Sequence, residues 1–155
     1  MVRVDGVIDV RQCPEVVFDT VADERSVYDP SVIRAEMLTD GPLGVGTRFR
    51  SVVQGRRAPV ETLVTITGFD RPRRLCTTTV AKGIEIESDI GLSAIPAGTH
   101  VRWSCDVRPS GPLRLLGPIL GIVAKRQTER VWEALRAEVE RRPAPAAASV
   151  QRAVP

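Results

Sequence analysis

The sequence predicts an α+β fold: a seven-stranded antiparallel sheet packed on a long C-terminal helix, with two short helices after the first strand. Three observations predict it. The stretch from Ser110 to Arg142 is the only one that reads as a long amphipathic helix, whereas most segments before it alternate with the period of two that marks half-buried strands. Closing those strands into hairpins then sends their apolar residues to one common face. With 155 residues, the chain is long enough for one domain and one core.

Residues 3 to 10 open the sheet, with Val4, Gly6, Ile8 and Val10 on one side and Arg3, Asp5 and Asp9 mostly on the other. At Cys13-Pro14 the period changes. Pro14 takes a first-turn position beside Glu15, and Val17, Phe18 and Val21 recur at helical spacing, so a short helix runs to about Asp23. ERSVYDP adds a second short helix that Pro30 stops, because the residue before a proline is pushed away from helical angles. Ile33, Ala35 and Met37 alternate with Arg34 and Glu36 in the second strand. The glycine-rich TDGPLGVGT that follows is a hairpin turn; a strand comes after it, so no helix N-terminus is at hand to hold a phosphate.

Residues 48–54, 59–69, 74–80, 84–92 and 99–107 complete the sheet. Hairpin closure pairs Val53 with Val60, Val64 with Thr77, Thr79 with Ile86, and Ile90 with Trp103, all on one face. Phe49, Ser51, Thr62, Ile66, Leu75, Ile84, Ser88, Val101 and Cys105 join them, while Arg48, Arg50, Glu61, Glu85, Glu87, Asp89, Arg102 and Asp106 take the other face. The last helix, residues 118–141, covers roughly 36 Å at about 1.5 Å per residue. Its apolar stripe is Leu116, Leu120, Val123, Ala124, Val131, Ala134 and Leu135, with Gln127 in the middle as a polar amide in need of a partner. Pro118 predicts a break near Gly117. Beyond Arg142, PAPAAASVQRAVP has no periodicity and is read as a disordered tail, leaving residues 1–142 as the domain.

The formal charge of +3 comes from arginines that alternate with acids along most of the chain, which marks a solvated surface. A nucleic-acid reader would interleave aromatics with its basic residues, and this chain does not. Cys13, Cys76 and Cys105 are odd in number and far apart, so they point to reduced thiols and not to disulfides or zinc. No apolar run reaches the roughly 20 residues of a membrane span, and the N-terminus lacks a signal-peptide core. A soluble, cytoplasmic protein is expected.

The order of strand, two short helices, six antiparallel strands and long C-terminal helix resembles the START-like helix-grip superfamily (SRPBCC), in particular its bacterial polyketide cyclase/dehydrase-type members. YDPSVIRAEMLTDGPLGVGTRFR resembles that group's segment from second helix to first hairpin, and GFDRPRRLCTTT its following strand pair. Tyr28 stands where the group often has an aromatic before Asp-Pro. The resemblance implies a curved sheet gripping the C-terminal helix, with a pocket between them for an apolar or aromatic, lipid- or polyketide-like molecule. It implies no shared catalytic motif.

The residues themselves argue against several chemistries. His100, the only histidine, falls on the polar face beside a turn, so Ser-His-Asp and Cys-His mechanisms lack their base. Glu85, Glu87 and Asp89 all point outward and cannot converge as a glycosidase pair. Cys105 faces the apolar interior, where a thiol is inert. What remains inward and polar is Ser51, Thr62, Thr77, Thr79, Ser88 and Gln127; such hydroxyls serve either the sheet or a mainly apolar site with a few hydrogen-bonding groups. The candidate ligand-binding set is therefore Tyr28, Phe49, Ser51, Val53, Thr62, Val64, Thr77, Thr79, Ile86, Ser88, Trp103, Leu120, Val123 and Gln127. No metal site, cofactor or catalytic residue is assigned. The expected partner is a hydrophobic small molecule, either carried unchanged or folded and dehydrated by a cyclase; a collapsed interior would instead mark a protein-interaction domain.

Overall fold

The computed structural model describes residues 1–26 and 28–143, so nearly all of the predicted tail lies outside the described residues. The strands are β1 (Val2–Val10), β2 (Val32–Met37), β3 (Arg48–Val53), β4 (Val60–Asp70), β5 (Arg74–Ala81), β6 (Ile84–Ile95) and β7 (Gly98–Pro109). They form one antiparallel seven-stranded sheet in the order β1-β7-β6-β5-β4-β3-β2. Helix α1 (Pro14–Ala22) follows β1, and a 3-10 segment (Gly111–Leu116) leads into the long helix α2 (Gly117–Glu140).

The expected second short helix does not form; α1 is the one helix described between β1 and β2. Local side-chain bonds offer the backbone an alternative there. The Asp23 carboxylate accepts the Arg25 backbone N–H at 2.9 Å and both arms of its guanidinium, and the Asp23 carbonyl accepts the Ser26 N–H at 2.9 Å. Asp29 does the same for Ser31, taking its N–H at 2.9 Å and its hydroxyl at 2.8 Å. The break predicted by Pro118 is present as the change from 3-10 to α geometry at Gly117, with the proline in the first turn where its missing amide matters least.

Strand register agrees with the hairpin argument at Val53–Val60, Thr79–Ile86 and Ile90–Trp103. It differs between β4 and β5, where Val64 faces Thr79 and Ile66 faces Thr77. The slip is of two residues and so keeps every side chain on its predicted face; the pairing also shifts at an irregularity between Ile66 and Gly68, which the turn sequence did not announce. Glu85 and Glu87 are exposed on the outer face, where Glu87 pairs with Arg108 at 2.7 Å and Asp89 with Arg74 at 2.7 Å.

The core joins the inner sheet face to α1 and the C-terminal half of α2. Phe18, Phe49, Ile66, Leu75, Val101, Leu135 and Val139 are almost wholly buried, and Phe18 meets Phe69 edge-on at 5.1 Å. Burying a side chain of this kind contributes about 2 kcal/mol. The C-terminal end of α2 is tied down by Gln12, a buried side chain whose amide donates to the carbonyls of Val139 (3.0 Å) and Arg142 (3.1 Å), groups that a helix end leaves without intrahelical partners. Thr99 in turn holds the Gln12 carbonyl at 2.6 Å. α2 is thus clamped at one end, and its middle lies across the strands that face it.

Candidate functional site

Three neighbouring strands present a grid of side chains to α2. Register sets Leu75, Ile90 and Trp103 in one rung, Thr77, Ser88 and Cys105 in the next, and Thr79, Ile86 and Val107 in the third. Residues two apart on a strand share a face, so the rungs form one continuous floor. Between it and Ala124, Gln127, Thr128, Val131 and Trp132 of α2 lies a cavity of about 270 Å³, its wall completed by Val21, Glu24 and Tyr28. Small-molecule pockets start near roughly 300 Å³, so the space suits a compact ring system or a folded chain.

The floor has a polar middle rung between two rungs that are almost entirely apolar. Ser88 Oγ lies 3.5 Å from Cys105 Sγ, and burial pushes the Cys105 thiol above its ordinary range, so it is a weak hydrogen-bonding group and not a nucleophile. Thr128 donates to the Ala124 carbonyl at 2.8 Å and so satisfies its own hydroxyl, turning its methyl group into available wall.

The strongest electrostatic feature is one the sequence reading passed over. Glu24 lines the cavity, and burial, reinforced by the neighbouring Asp29 and Asp23, pushes its carboxyl up to about 7. Tyr28 beside it is pushed well above the ordinary phenol range by burial first and by Glu24 and Asp29 second, so it stays a neutral donor. Asp23 goes the other way: burial opposes ionisation, but the Arg25 side chain and backbone N–H outweigh it and hold the carboxyl low. In ERSVYDP, Glu24 falls in the expected second short helix, and nothing in its spacing says that this segment turns back over the sheet.

Of the candidate residues, Tyr28, Thr77, Thr79, Ile86, Ser88, Trp103 and Gln127 line the cavity. Phe49 and Val64 do not; they are buried in the packed core, and Ser51 beside them is buried with no partner for its hydroxyl among the described residues. Val53 and Thr62 also lie away from the cavity, and Thr62 reaches only the Ser51 carbonyl at 3.5 Å. Strand parity chose the right face, but β3 and β4 carry the part of it that does not face the cavity. Leu120 is half-buried outside the cavity and Val123 is 54 % exposed. The inward stripe of α2 is Ala124, Thr128, Val131, Trp132, Leu135 and Val139, turned by most of one residue from the expected one. Apolar residues on several sides of the first turns blurred the direction, and Trp132 fixed it.

That rotation also corrects Gln127. It is exposed while lining the cavity, so it is not the buried amide expected from the apolar stripe. Gln127→Leu should therefore leave unfolding free energy within about 0.5 kcal/mol of the parent in a denaturant titration. A loss of several kcal/mol would show that the amide holds buried groups after all.

His100 lies away from the cavity, its Nδ1 2.5 Å from Asp9 on the outer side of β1 and β7. No cluster of potential metal ligands occurs among the described residues. No helix of the described residues is long and apolar enough to cross a membrane.

Solved structures with this architecture are numerous. A START superfamily protein from Mycobacterium smegmatis superposes with a TM-score of 0.78 at 16% identity, covering 90% of this chain and 97% of that one. Ara h 8.0201 gives 0.74 at 16% identity, over 90% and 98%. TTHA0849 from Thermus thermophilus gives 0.71 at 19% identity, over 89% and 95%. At such identities the likeness speaks for the START-like helix-grip fold alone. No curated protein sequence is a significant match. The family described as polyketide cyclase / dehydrase and lipid transport matches residues 1–140, and with nearly the whole described length covered, the chain belongs to that family.

Proposed function

We propose that this protein binds and carries an apolar or aromatic small molecule, lipid- or polyketide-like, in the cavity between β5–β7 and α2. The observation that carries the reading is the cavity itself: a floor of two largely apolar rungs around one polar rung, roofed by Ala124, Val131 and Trp132. An apolar enclosure with a few placed hydrogen-bonding groups is what a ligand site requires. The three free thiols, Cys13, Cys76 and Cys105, fit a reducing cytoplasmic setting.

Trp103 and Trp132 both line the cavity, so both report on its contents. Titration with compact aromatic and alkyl compounds should quench or shift their fluorescence saturably, and Thr79→Trp, which fills the floor, should abolish the response while the fold persists by circular dichroism. A folded protein that shows no saturable response to any compound would sink the carrier reading.

A second reading rests on Glu24. A carboxyl with a midpoint near neutrality, next to the Tyr28 phenol in a mainly apolar cavity, is placed to exchange a proton with a bound chain, as a cyclase or dehydratase requires. Turnover of a polyketide-like chain that is lost in Glu24→Gln while binding remains would select this reading over simple carriage.

A further inference from the structure

We propose that the outward face of the 3-10 segment and the first turns of α2 docks onto an anionic phospholipid membrane surface. Leu115 is 87% exposed, Ile119 57%, Ile122 59% and Val123 54%, an apolar set that the fold leaves uncovered. Helical spacing sets Ile119, Ile122 and Val123 together with Arg126, on the side turned away from the cavity-lining Ala124 and Thr128. None of these exposed residues lines the cavity, so the patch stands whatever the cavity holds.

Charge names the partner. Residues 109–128 include Arg114, Lys125 and Arg126 and not one acid, while Glu129, Glu133, Glu138 and Glu140 follow in the second half of the helix. All three cations are exposed beside the apolar set. An amphipathic surface with basic residues flanking uncovered aliphatic ones matches the interface of a bilayer, where side chains enter the acyl boundary and cations meet the headgroups. A second copy of the chain is a poorer occupant, since a symmetric pair would bring two sets of cations together. The C-terminal segment is poorer too: residues 144–155 include Arg152 and not one acid, so they would bring like charge to the basic patch.

The test is co-sedimentation of the full chain with vesicles of phosphatidylcholine alone or with about 30 % phosphatidylglycerol. Binding is expected to the anionic vesicles, to weaken in about 0.5 M salt, and to fall about ten-fold or more in Ile119→Asp/Ile122→Asp. Lys125→Gln/Arg126→Gln should weaken binding to anionic vesicles as salt does. All four side chains are exposed, so the melting temperature should not move, which separates lost docking from lost folding. No binding to anionic vesicles, binding unchanged by the aspartates, or a dimer in solution that the aspartates dissolve would each overturn the proposal; so would a chain truncated after Pro143 that binds vesicles when the full chain does not.

Discussion

At pH 8 the Glu24→Gln protein should melt several degrees above the parent, and at about pH 4 the two should melt together. The carboxyl ionises near 4.5 when unfolded and near 7 when folded, because burial and the neighbouring Asp29 and Asp23 oppose its charge. An acid raised in this way supports the fold fully below its unfolded value, and that support is lost as pH climbs through the folded one. The whole interval corresponds to at most about 3–4 kcal/mol, and solvent screening in the open cavity reduces this to roughly 1–2 kcal/mol, or about 2–8 °C for a chain of this length. Glutamine keeps the shape and removes the charge. Asp23, held low by Arg25, is common to both proteins, so the difference between their pH–stability curves isolates Glu24. Calorimetric melts at several pH values give that difference directly. Parallel curves, or a glutamine variant that is less stable at pH 8, would mean that the carboxyl is solvated and that the catalytic reading has lost its residue.

Why Glu24 was hidden and the cavity floor was not follows from what each depends on. The rungs through Thr77, Ser88 and Cys105 need only the period of two and correctly closed hairpins, both of which are local properties of the chain. Even the β4–β5 slip did no harm, since two residues return a strand to the same face. Which part of the face stays open is not local. It depends on where α2 crosses and on which of its sides is inward, and here Trp132, absent from the expected stripe, outweighed smaller apolar residues such as Leu116 and Val123. Glu24 depends on a turn built by Asp23 and Asp29 in place of a helix, and such competition between side-chain and backbone bonds leaves no periodic signature. Phe49, Ser51 and Val64 show the converse limit, being inward by parity yet committed to the packed core.

Gly6→Ala should destabilise the protein and weaken the ligand binding proposed for its cavity, both through one side chain, Trp103. Gly6 lies opposite Trp103 across the β1–β7 ladder, and the indole lies over the space a side chain would take. A Cβ at position 6 would sit 2.5 Å from Cζ2 and 2.8 Å from Cε2 of that ring. The clash is with the body of a rigid aromatic that is only 4 % exposed, so the ring cannot simply swing away into solvent. It must tip, and since Trp103 shares its rung with Leu75 and Ile90 and walls the cavity, tipping deforms the floor. Overpacking of this kind costs about 1–3 kcal/mol, offset only in part by the smaller chain entropy of alanine. The decisive comparison is a double-mutant cycle. In a Trp103→Leu background the indole is gone, and Gly6→Ala should then be nearly neutral, giving a coupling of about 1–3 kcal/mol between two residues on paired strands. Additive effects would show that alanine harms β1 itself and not the wall, and unchanged ligand binding in Gly6→Ala would show that the ring tips away from the cavity without altering it.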